Sequence, residues 1–408
     1  MTGTRPLRAV ADVVLGKMRT PDSDTGTNVV PYLRTANVGD GFLRLHDVKH
    51  MHFEPAELAR YRLAVGDVLI TEASGSRDQV GQTALFAGEV PGAAMQNTLL
   101  RLRPRQGTDA RYLYWWSRFA FGSGMYAEAS QGLGIWHLGS ERMQRLQVPA
   151  MPLHEQRRIA DFLDDRVALL DRAVTLRETQ AHLLRERHLA WIENVLVQQA
   201  ANFPVRPLAW LCDPLRPIQY GIVLPGPNHE GGVPIVKGGD VAAGRLHPDL
   251  LQRTSPEIDQ QYARSRVREG DLVISIRGSY GEVEKVPRVL NGANLTQDSA
   301  RIAPAHGDID WLKAVLETPS VQSQMQQRAT GAMVKGLNIF ELRRLAIPTP
   351  ASNVQAALGR RVRQEAERVA EARALLKQSG DLIAERKQAL VTAAVTGQFD
   401  ATTARSVA

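Results

Sequence analysis

The stretch PLHEQRRIADFLDDRVALLDRAV, from Pro152 to Val174, decides the fold, because it predicts a long helix in the middle of the chain. It contains no glycine, and its only proline stands at the first position, where a helix does not need the missing N–H. Glu155 lies where a carboxylate stabilises a helix N-terminus. Mostly apolar residues recur from Ile159 at alternating steps of three and four, as on a helix that buries one narrow face. The pattern therefore predicts a partner that covers this face.

An internal repeat supplies such a partner, and comparing the chain with itself reveals it. The segment ASQGLGIWHLGSERMQRLQVPAMPLHEQ ends at Gln156. It aligns without a gap with RATGAMVKGLNIFELRRLAIPTPASNVQ, which ends 199 residues later at Gln355. Farther upstream, LAVGDVLITEASGS from Leu63 resembles VREGDLVISIRGS from Val267. Because these landmarks follow one another in the same order, we interpret the chain as two halves built on one plan.

Each half predicts strands first and helices later. GDVLI and GDLVI are short, β-branched and led by a Gly-Asp turn, as strands are. ARYLYWWSRFAFGSGMYAEA and DIDWLKAVLETPSVQSQMQQ predict helices, and the match between them favours packing over base stacking for the aromatic residues of the first. In the run LRLR, Arg101 and Arg103 alternate with leucines, which predicts exposed side chains on a half-buried strand. The predicted fold class is α+β, with two pseudo-repeated mixed or β-rich domains.

After each globular part the chain predicts a long helix, and the two helices carry their seams at the same 199-residue spacing. Polar residues interrupt both seams, so each helix alone would be marginally stable. We therefore predict that the two long helices separate the domains and pair with each other as an antiparallel coiled coil. The predicted seam residues are Ile159, Leu163, Leu170 and Leu184 in the first helix and Leu358, Val362, Val369, Leu376, Ile383 and Leu390 in the second.

The predicted domain organisation follows from these helices. The globular domains cover residues 1–151 and 201–351, the spacer helices cover 152–200 and 352–393, and a C-terminal tail covers 394–408. Helices of about 40 residues extend on the order of 60 Å, which suits a spacer between two domains. The alternative, that both are core helices of one domain, is disfavoured because one domain rarely needs two matched long helices half a chain apart.

Composition and charge predict the class of partner. The formal net charge is +7, the isoelectric point is near 9.7 and 43% of the residues are hydrophobic. Such a basic globular chain attracts polyanions, among which nucleic acid fits best. The single cysteine, Cys212, excludes an internal disulfide and a cysteine-rich zinc site. With neither a signal-peptide core nor an apolar stretch of roughly 18 residues, the prediction is a cytoplasmic protein without membrane contact.

Loops at matching places in the two halves predict the contacts with nucleic acid. SGSRDQVGQ and RGSYGEVEK follow the matched strands, and QGLGIWH and GAMVKGLN lie at the 199-residue spacing. Arginine and glutamine pair with guanine and adenine edges, and serine approaches phosphates closely. Ordinary polar turns remain the alternative, and Trp136 is equally compatible with a core position. The candidates are Ser74, Ser76, Arg77, Gln79, Trp136 and His137 in the first half and Arg277, Ser279, Tyr280 and Lys335 in the second.

Motifs for metal binding and catalysis are missing from the sequence. His46, His50 and His52 lie close together, but no acidic or cysteine ligand is suitably spaced, so we predict no metal site. The chain has no Asn-Pro-Pro-Tyr or Asp-Pro-Pro-Tyr run for a flipped adenine, no phosphate-binding Gly-x-x-x-x-Gly-Lys loop and no Gly-x-Ser-x-Gly elbow. No nuclease strand precedes the ERK at Glu385. We predict no catalytic residues and no cofactor in this chain.

The order of these segments resembles the specificity subunit of type I restriction-modification systems over nearly the whole chain. The resemblance lies in the proline and Glu-Gln-Arg-Arg-Ile run that open the central helix and in the closing Ala-Val-Thr-Gly-Gln run at 394–398. The Gly-Asp-led strands add support. One departure is the start of the second long helix, PTPASNVQAAL, which lacks the Glu-Gln-Arg of the first and makes its partner contacts less certain.

The resemblance implies a non-catalytic subunit with two target-recognition domains. In this family each domain reads one half of a split target in double-stranded DNA. The paired helices set the length of the unread spacer and dock two methyltransferase subunits. S-adenosylmethionine is then expected on the methyltransferase, and restriction and translocase subunits join the larger complex. The alternatives are a recognition subunit of another methyltransferase-nuclease type and a coiled-coil scaffold with two carbohydrate- or protein-binding domains.

Overall fold

The computed structural model describes residues 3–19, 26–196, 203–278, 280–331 and 335–398. The chain divides into two compact units, of which unit 1 comprises Met1–Arg177 and Gln378–Ala408 and unit 2 comprises Glu178–Lys377. Both division points lie inside long helices, so the units do not coincide with the five predicted segments. Those segments stay a prediction, and residues 197–200 and 399–408 of them lie outside the described residues.

Unit 1 begins with short strands and ends its globular part with helices, as the sequence predicts. In chain order its elements are β1 (Thr4–Pro6), α1 (Leu7–Val10), β2 (Ala11–Leu15), β3 (Val29–Leu33), β4 (Lys49–His52), α2 (Pro55–Tyr61), β5 (Val68–Thr71), β6 (Ala73–Ser74), β7 (Thr83–Leu85), β8 (Ala94–Met95), β9 (Leu99–Pro104), α3 (Ala110–Gly122), α4 (Met125–Ala129), β10 (Trp136–His137), α5 (Ser140–Arg145) and β11 (Gln147–Pro149). The long helix α6 (Leu153–Leu196) follows and continues into unit 2.

Unit 2 repeats this plan. Its elements are β12 (Val205–Pro207), β13 (Gln219–Tyr220), β14 (Val233–Val236), β15 (Arg253–Thr254), α7 (Pro256–Gln261), β16 (Leu272–Ser275), β17 (Val283–Lys285), β18 (Asn294–Leu295), β19 (Ser299–Ile302), α8 (Ile309–Glu317), α9 (Pro319–Arg328), α10 (Ile339–Arg343) and β20 (Ala346–Pro348). The second long helix, α11 (Ser352–Thr396), begins in unit 2 and ends in unit 1, three residues beyond the predicted end of the spacer helix.

Three sheets of unit 1 have counterparts with the same strand order in unit 2, whereas the short pair β6-β10 corresponds, among the described residues, to a single bridge between Arg277 and Gly336. Unit 1 has a four-stranded sheet in the order β2-β9-β5-β7, and unit 2 has one in the order β13-β19-β16-β17. Each unit also has a three-stranded sheet, β4-β3-β8 or β15-β14-β18, in which one pair is parallel. A two-stranded ladder, β1-β11 or β12-β20, brings the start of each globular part to its end. The predicted α+β class with an internal repeat is confirmed.

The Gly-Asp turn before each central strand has a structural reason. Asp67 and Asp271 are 1% and 3% exposed, and each carboxylate accepts the backbone N–H three residues earlier, at 2.8 and 2.7 Å. Both oxygens of each carboxylate also accept from a guanidinium, that of Arg103 in unit 1 and that of Arg216 in unit 2. A buried carboxylate is stable only when it is paired and hydrogen-bonded in this way. The turn therefore fixes where strands β5 and β16 begin.

The prediction that Arg101 is exposed is wrong. Its side chain is 3% exposed and donates to the carbonyl oxygens of Arg60 and Arg62, at 3.0 and 3.1 Å. Arg301, at the matching place on β19, donates to two carbonyl oxygens of unit 2 at 2.7 and 2.8 Å. Burial lowers the pKa of both guanidinium groups. These arginines satisfy carbonyl oxygens of the segment that precedes β5 or β16 in the chain, so they belong to the scaffold.

Aromatic residues of the late helices fill the core, as the sequence predicts. In unit 1, Tyr112 and Trp116 of α3 are 1% and 0% exposed. In unit 2, Trp311 of α8 stands in the register of Tyr112 and is also fully buried. Both helices open on an aspartate that accepts backbone N–H groups of the first turn, which is typical of a helix N-cap. The aromatic run is thus packed inside unit 1 and does not form a surface for base stacking.

Inside unit 1 the two long helices run antiparallel. Lys387 of α11 lies 2.8 Å from the carboxylate of Asp171 on α6, and Arg177 donates to the hydroxyl of Ser379 at 3.3 Å. The residue numbers of the contact partners fall along α11 as they rise along α6, which is the order expected of antiparallel helices. The apolar residues that join these helix parts to the core of unit 1 are Ile159, Ala160, Leu163, Val167, Val391, Ala394 and Val395.

Inside unit 2 the remaining parts of the helices also run antiparallel. The guanidinium of Arg361 lies 5.9 Å from the ring centroid of Trp191. Three residues earlier on α6, His188 interacts electrostatically with Glu365, which lies four residues later on α11. The ten predicted seam residues are all buried or half-buried. Coiled-coil packing along the whole seam stays a prediction.

A buried glutamine attaches the start of α6 to the globular part of unit 1. Gln156 is 5% exposed, and its amide nitrogen donates to the carbonyl oxygens of Gly107 and Met151, at 3.1 and 2.8 Å. Its amide oxygen accepts the N–H of Asp109 at 2.9 Å. Asp109 is also the N-cap of α3, so one side chain links two helix starts.

Gln355 does the same at the start of α11 in unit 2. It is 3% exposed, accepts the N–H of Asp308 at 3.2 Å and donates to the carbonyl oxygen of Pro350 at 2.6 Å. The Glu-Gln-Arg of the first helix start is absent here, but its glutamine is kept. The residue that the two helix starts share is therefore the one that makes the buried contacts.

An ion pair fixes each long helix to the first turn of an earlier helix, and its polarity is opposite in the two units. In unit 1, Arg111 of α3 pairs with Asp161 and Asp164 of α6, at 2.7 and 2.9 Å. In unit 2, Asp310 of α8 pairs with Arg363 of α11 at 2.9 Å. These positions correspond at the 199-residue spacing, but the cation and the anion have exchanged places.

Within the described ranges, no helix is long and apolar enough to cross a membrane.

Candidate nucleic-acid interface

The loops after β5 and β16 carry predicted DNA contacts and differ in length. The N–H of Gly81 bonds to the carbonyl of Thr71, and the N–H of Gly281 bonds to the carbonyl of Ser275. The loop therefore holds nine residues, 72–80, in unit 1 but five residues, 276–280, in unit 2. Because the strands on either side match, the scaffold is the same while the loop that it presents is different.

Three predicted residues of unit 1 meet at one place. Ser74 of β6 pairs with Trp136 of β10, and the guanidinium of Arg77 lies 5.1 Å from the centre of the Trp136 ring. The Nε of Arg77 also donates to the carbonyl oxygen of Ala127 at 3.0 Å. Arg77 is exposed and Trp136 is half-buried, so the ring supports a cation that faces solvent.

Two further residues of this loop are exposed and have local partners. The N–H of Ser76 donates to the hydroxyl of Ser74 at 3.2 Å. The amide oxygen of Gln79 accepts from the amide nitrogen of Gln82 at 2.7 Å. These bonds fix the backbone of the loop beside Arg77 and leave polar atoms at its surface.

A neighbouring hairpin covers residues 131–137 of unit 1, and hydrogen bonds hold its two ends, Gln131 and His137, which we call its root. Gln131 and His137 exchange N–H to carbonyl bonds at 2.9 and 2.8 Å. The ring of His137 lies 2.9 Å from the carboxylate of Glu72, which is 9% exposed. Arg142 donates to the side chain of Gln131 at 3.1 Å and to the carbonyl of His137 at 2.8 Å. His137 is thus part of the root of the hairpin.

In unit 2 the predicted residues are more dispersed. Arg277 is exposed and forms a backbone bridge with Gly336, and Lys335 is exposed beside it. Tyr280 is half-buried and packs against the hydrophobic core, which gives it a structural role. Ser279 lies outside the described residues.

A cavity of about 1080 Å³ opens beside Arg277 in unit 2. Lys237 and Arg245 contribute two more cations to its lining, and Asp240 and Asp298 contribute carboxylates. Asp240 holds part of this charge in place, since its carboxylate lies 3.9 Å from Arg245. The wall also includes Tyr220, Gln297 and Asn338. The mixture of cations, amides and small backbone loops suits contact with phosphates and base edges.

Lys237 was not predicted from the sequence, although a signal for it exists. The segments YLRTAN, from Tyr32, and IVKGGD, from Ile235, place Arg34 and Lys237 at the same position, directly before a short 3₁₀ helix. Arg34 lies 2.6 Å from the carboxylate of Asp47. The hydrogen bond from Lys49, and the charge of Arg34, hold the pKa of Asp47 below its usual range. Arg34 and Lys237 therefore mark corresponding positions in the two units that the loops alone do not reveal.

Of the three closely spaced histidines, for which no metal site was predicted, His52 has ordinary partners. The Nδ1 of His52 accepts the N–H of Asn28 at 3.2 Å, and its Nε2 lies 2.9 Å from the carboxylate of Glu54. In the part of the chain that the structure describes, no group of three or more histidine, cysteine, aspartate or glutamate side chains could hold a metal ion.

Comparison with known proteins gives a consistent result. No family model matches the chain. It is 28% identical over 254 residues to the type I restriction enzyme EcoBI specificity subunit of Escherichia coli, a match that covers 56% of this chain and 53% of that subunit. It is 21% identical over 353 residues to the putative type I restriction enzyme MjaX specificity subunit of Methanocaldococcus jannaschii, covering 82% of this chain and 79% of that one. The matched part thus spans about half the length of the first relative.

A solved structure shares the fold. It comes from work on complex assembly and conformational transition of the type I R-M system. One of its chains superposes on this chain with a TM-score of 0.69 at 17% sequence identity, and the match covers 97% of this chain and 98% of that chain. The resemblance to type I specificity subunits is confirmed. The curated relatives are specificity subunits, which supports the prediction of a non-catalytic chain.

Proposed function

We propose that this chain is the DNA-recognition subunit of a type I restriction-modification complex and carries no catalytic residues. The proposal rests on one observation: the same arrangement of strands occurs in both units, but the loops after the central strands differ in length. Three sheets of unit 1 have counterparts with the same strand order in unit 2, whereas the loops after β5 and β16 hold nine and five residues. A reader of an asymmetric, bipartite sequence needs this combination, because equal scaffolds present unequal contacts.

Each unit is proposed to read one half of the target in double-stranded DNA. In unit 1 the reading groups are Ser74, Ser76, Arg77 and Gln79 with the hairpin at 131–137. In unit 2 they are Arg277 and Lys335 together with Lys237 and the cavity beside them. Cations attract the phosphate backbone, and arginine and amide side chains distinguish base edges in the major groove.

The long helices are proposed to set the spacer and to dock the partner subunits. A helix of 44 residues, such as α6, extends about 66 Å. The expected partners are two methyltransferase subunits, which bring S-adenosylmethionine, and restriction and translocase subunits in the larger complex. Separation along a duplex also fixes which face each unit meets, so the helices act on both spacing and orientation.

The test is to co-express the chain with the methyltransferase encoded beside it and to map methylated adenines across the host genome by single-molecule sequencing. The proposal expects a split motif with a fixed unread gap. A short continuous motif would indicate one active domain or another type of system. No new methylation, together with DNA binding that does not weaken as salt rises, would favour the scaffold alternative.

Matched variants assign the half-sites. Arg77→Ala should relax one half of the motif and Arg277→Ala the other. Arg8→Ala and Arg288→Ala remove exposed arginines elsewhere in units 1 and 2 and should leave both halves unchanged. Equal relaxation of both halves by either of the first two variants would contradict the assignment of one half-site to each unit.

A paired deletion tests the spacer. Removing residues 176–182 from α6 and residues 375–381 from α11 shortens both helices by one heptad at matching positions. We expect the preferred gap to change while both half-sequences are kept. Retention of the original gap would show that another part of the complex sets the separation.

A further inference from the structure

The tip of the hairpin at 131–137 exposes an apolar side chain that packs against nothing. Leu133 is 103% exposed and Ile135 is 57% exposed. Burying a leucine side chain is worth roughly 1.5–3 kcal/mol, so a fully exposed one gains nothing for the folded unit. The residues before and after it are Gly132 and Gly134, which offer no side chain to shield it.

The hairpin is built to hold this tip. Gly132 has φ at 150°, and a Cβ there would lie 1.8 Å from the carbonyl oxygen of Ile135, so the turn requires glycine. At the root, the two backbone bonds between Gln131 and His137 close the hairpin. Leu138, which follows, is fully buried. The root of the hairpin is therefore fixed to the core of unit 1.

Cations stand next to the hairpin. Arg77 stacks on Trp136, which lies in the returning arm, and Arg142 holds both ends of the root through Gln131 and His137. A small apolar tip with cations at the base of its hairpin suits a duplex, in which phosphates surround stacked bases. Proteins that bend DNA insert leucine and similar side chains between base steps in this way. A protein interface would need far more apolar area than two side chains supply.

We propose that Leu133 inserts between two base pairs of the half-site that unit 1 reads and unstacks them. This inference rests on the proposed DNA-recognition function and deepens it. The cations neutralise phosphates on either side of the step, and the rigid root transmits the position of unit 1 to the wedge. Base steps that unstack easily are then preferred at this place, so Leu133 contributes to specificity without a hydrogen bond.

The experiment uses the full chain with its methyltransferase and duplexes that contain the mapped target. 2-Aminopurine replaces in turn each adenine in and beside the half-site, except the methylated one, which the methyltransferase itself unstacks, because its fluorescence rises when it is unstacked. We expect a several-fold rise at one step with the wild-type chain and none with Leu133→Ala. Leu133→Phe should keep the rise. Leu215→Ala removes a leucine that is 90% exposed in unit 2 and should behave as wild type.

Affinity provides a second measurement. Leu133→Ala should weaken binding of the target duplex about tenfold, in keeping with the loss of one buried leucine. Salt-dependent binding without any fluorescence change in the wild-type complex would overturn the wedge and leave the proposed function standing. If the wild-type complex binds no duplex, both fail. If Leu133→Ala releases the methyltransferase but leaves the fluorescence change intact, the tip contacts protein and the wedge is wrong.

Discussion

Replacing Gln156 with methionine should loosen the junction between α6 and the globular part of unit 1. Methionine is similar in length but cannot replace the three hydrogen bonds to Gly107, Asp109 and Met151. The site is 5% exposed, so water does not replace them either. At about 1 kcal/mol for each bond, the loss is about 3 kcal/mol. That corresponds to roughly a hundredfold change in the local opening equilibrium.

Hydrogen exchange on the full chain measures this effect locally. The N–H of Asp109, which donates to Gln156, should exchange about a hundredfold faster in Gln156→Met. Gln355→Met is the matched variant, because Gln355 makes two bonds, to Asp308 and Pro350. It should accelerate exchange at Asp308 by roughly thirtyfold, for a loss of about 2 kcal/mol.

The two variants control each other. Gln156→Met should leave the segment around Asp308 unchanged, and Gln355→Met should leave the segment around Asp109 unchanged. Unaltered protection at Asp109 in Gln156→Met would refute the argument that the glutamine holds this junction. Equal acceleration of both segments by either variant would show a global loss of stability and would also refute it.

Three further predictions concern unit 2. Burial raises the pKa of the Cys212 thiol to about 12, so iodoacetamide at pH 8 should modify it only after denaturation, and mass spectrometry of the native chain would reveal any contrary result. Burial lowers the pKa of His188, so the fold prefers its neutral form and stability is lost as the pH falls below about 6.5. The drop in the unfolding midpoint between pH 7.5 and 5.5 should therefore be smaller in His188→Gln than in the wild-type chain. An equal drop in both would show that His188 does not cause the pH dependence. A Cβ on Gly221 would lie 1.9 Å from the carbonyl oxygen of Leu295, so Gly221→Ala should cost about 3 kcal/mol in chemical denaturation, whereas Gly239→Ala, with open space around it, should cost much less.

The long helices and the repeat were predictable because their signals are periodic and local. The central helix begins at Leu153, directly after the proline that the sequence marks as its start. Strands β5 and β16 also lie where the Gly-Asp turns place them. The burial of Arg101 was not predictable, because alternation along a strand says nothing about a distant segment whose carbonyl oxygens need a donor.

The candidate site was predictable in part for the same reason. Loop composition pointed to Arg77 and Arg277, but not to the ring of Trp136 under Arg77 or to Lys237 in the cavity beside Arg277. These neighbours come from segments tens of residues away. Only the register of the sheets brings them together, and single-sequence patterns do not contain that register.

The exchanged polarity of Arg111 with Asp164 and of Asp310 with Arg363 has a consequence for how such chains can evolve. If the halves arose by gene duplication, the ion pairs that join each globular part to its long helix have since diverged to opposite polarity and are no longer interchangeable. A chimera that moves the first domain into the second position would set Arg111 against Arg363. Recombination that exchanges domains would therefore succeed more often when the crossover carries the first four turns of the following helix along with the domain, because Asp164 and Arg363 lie in the fourth turn.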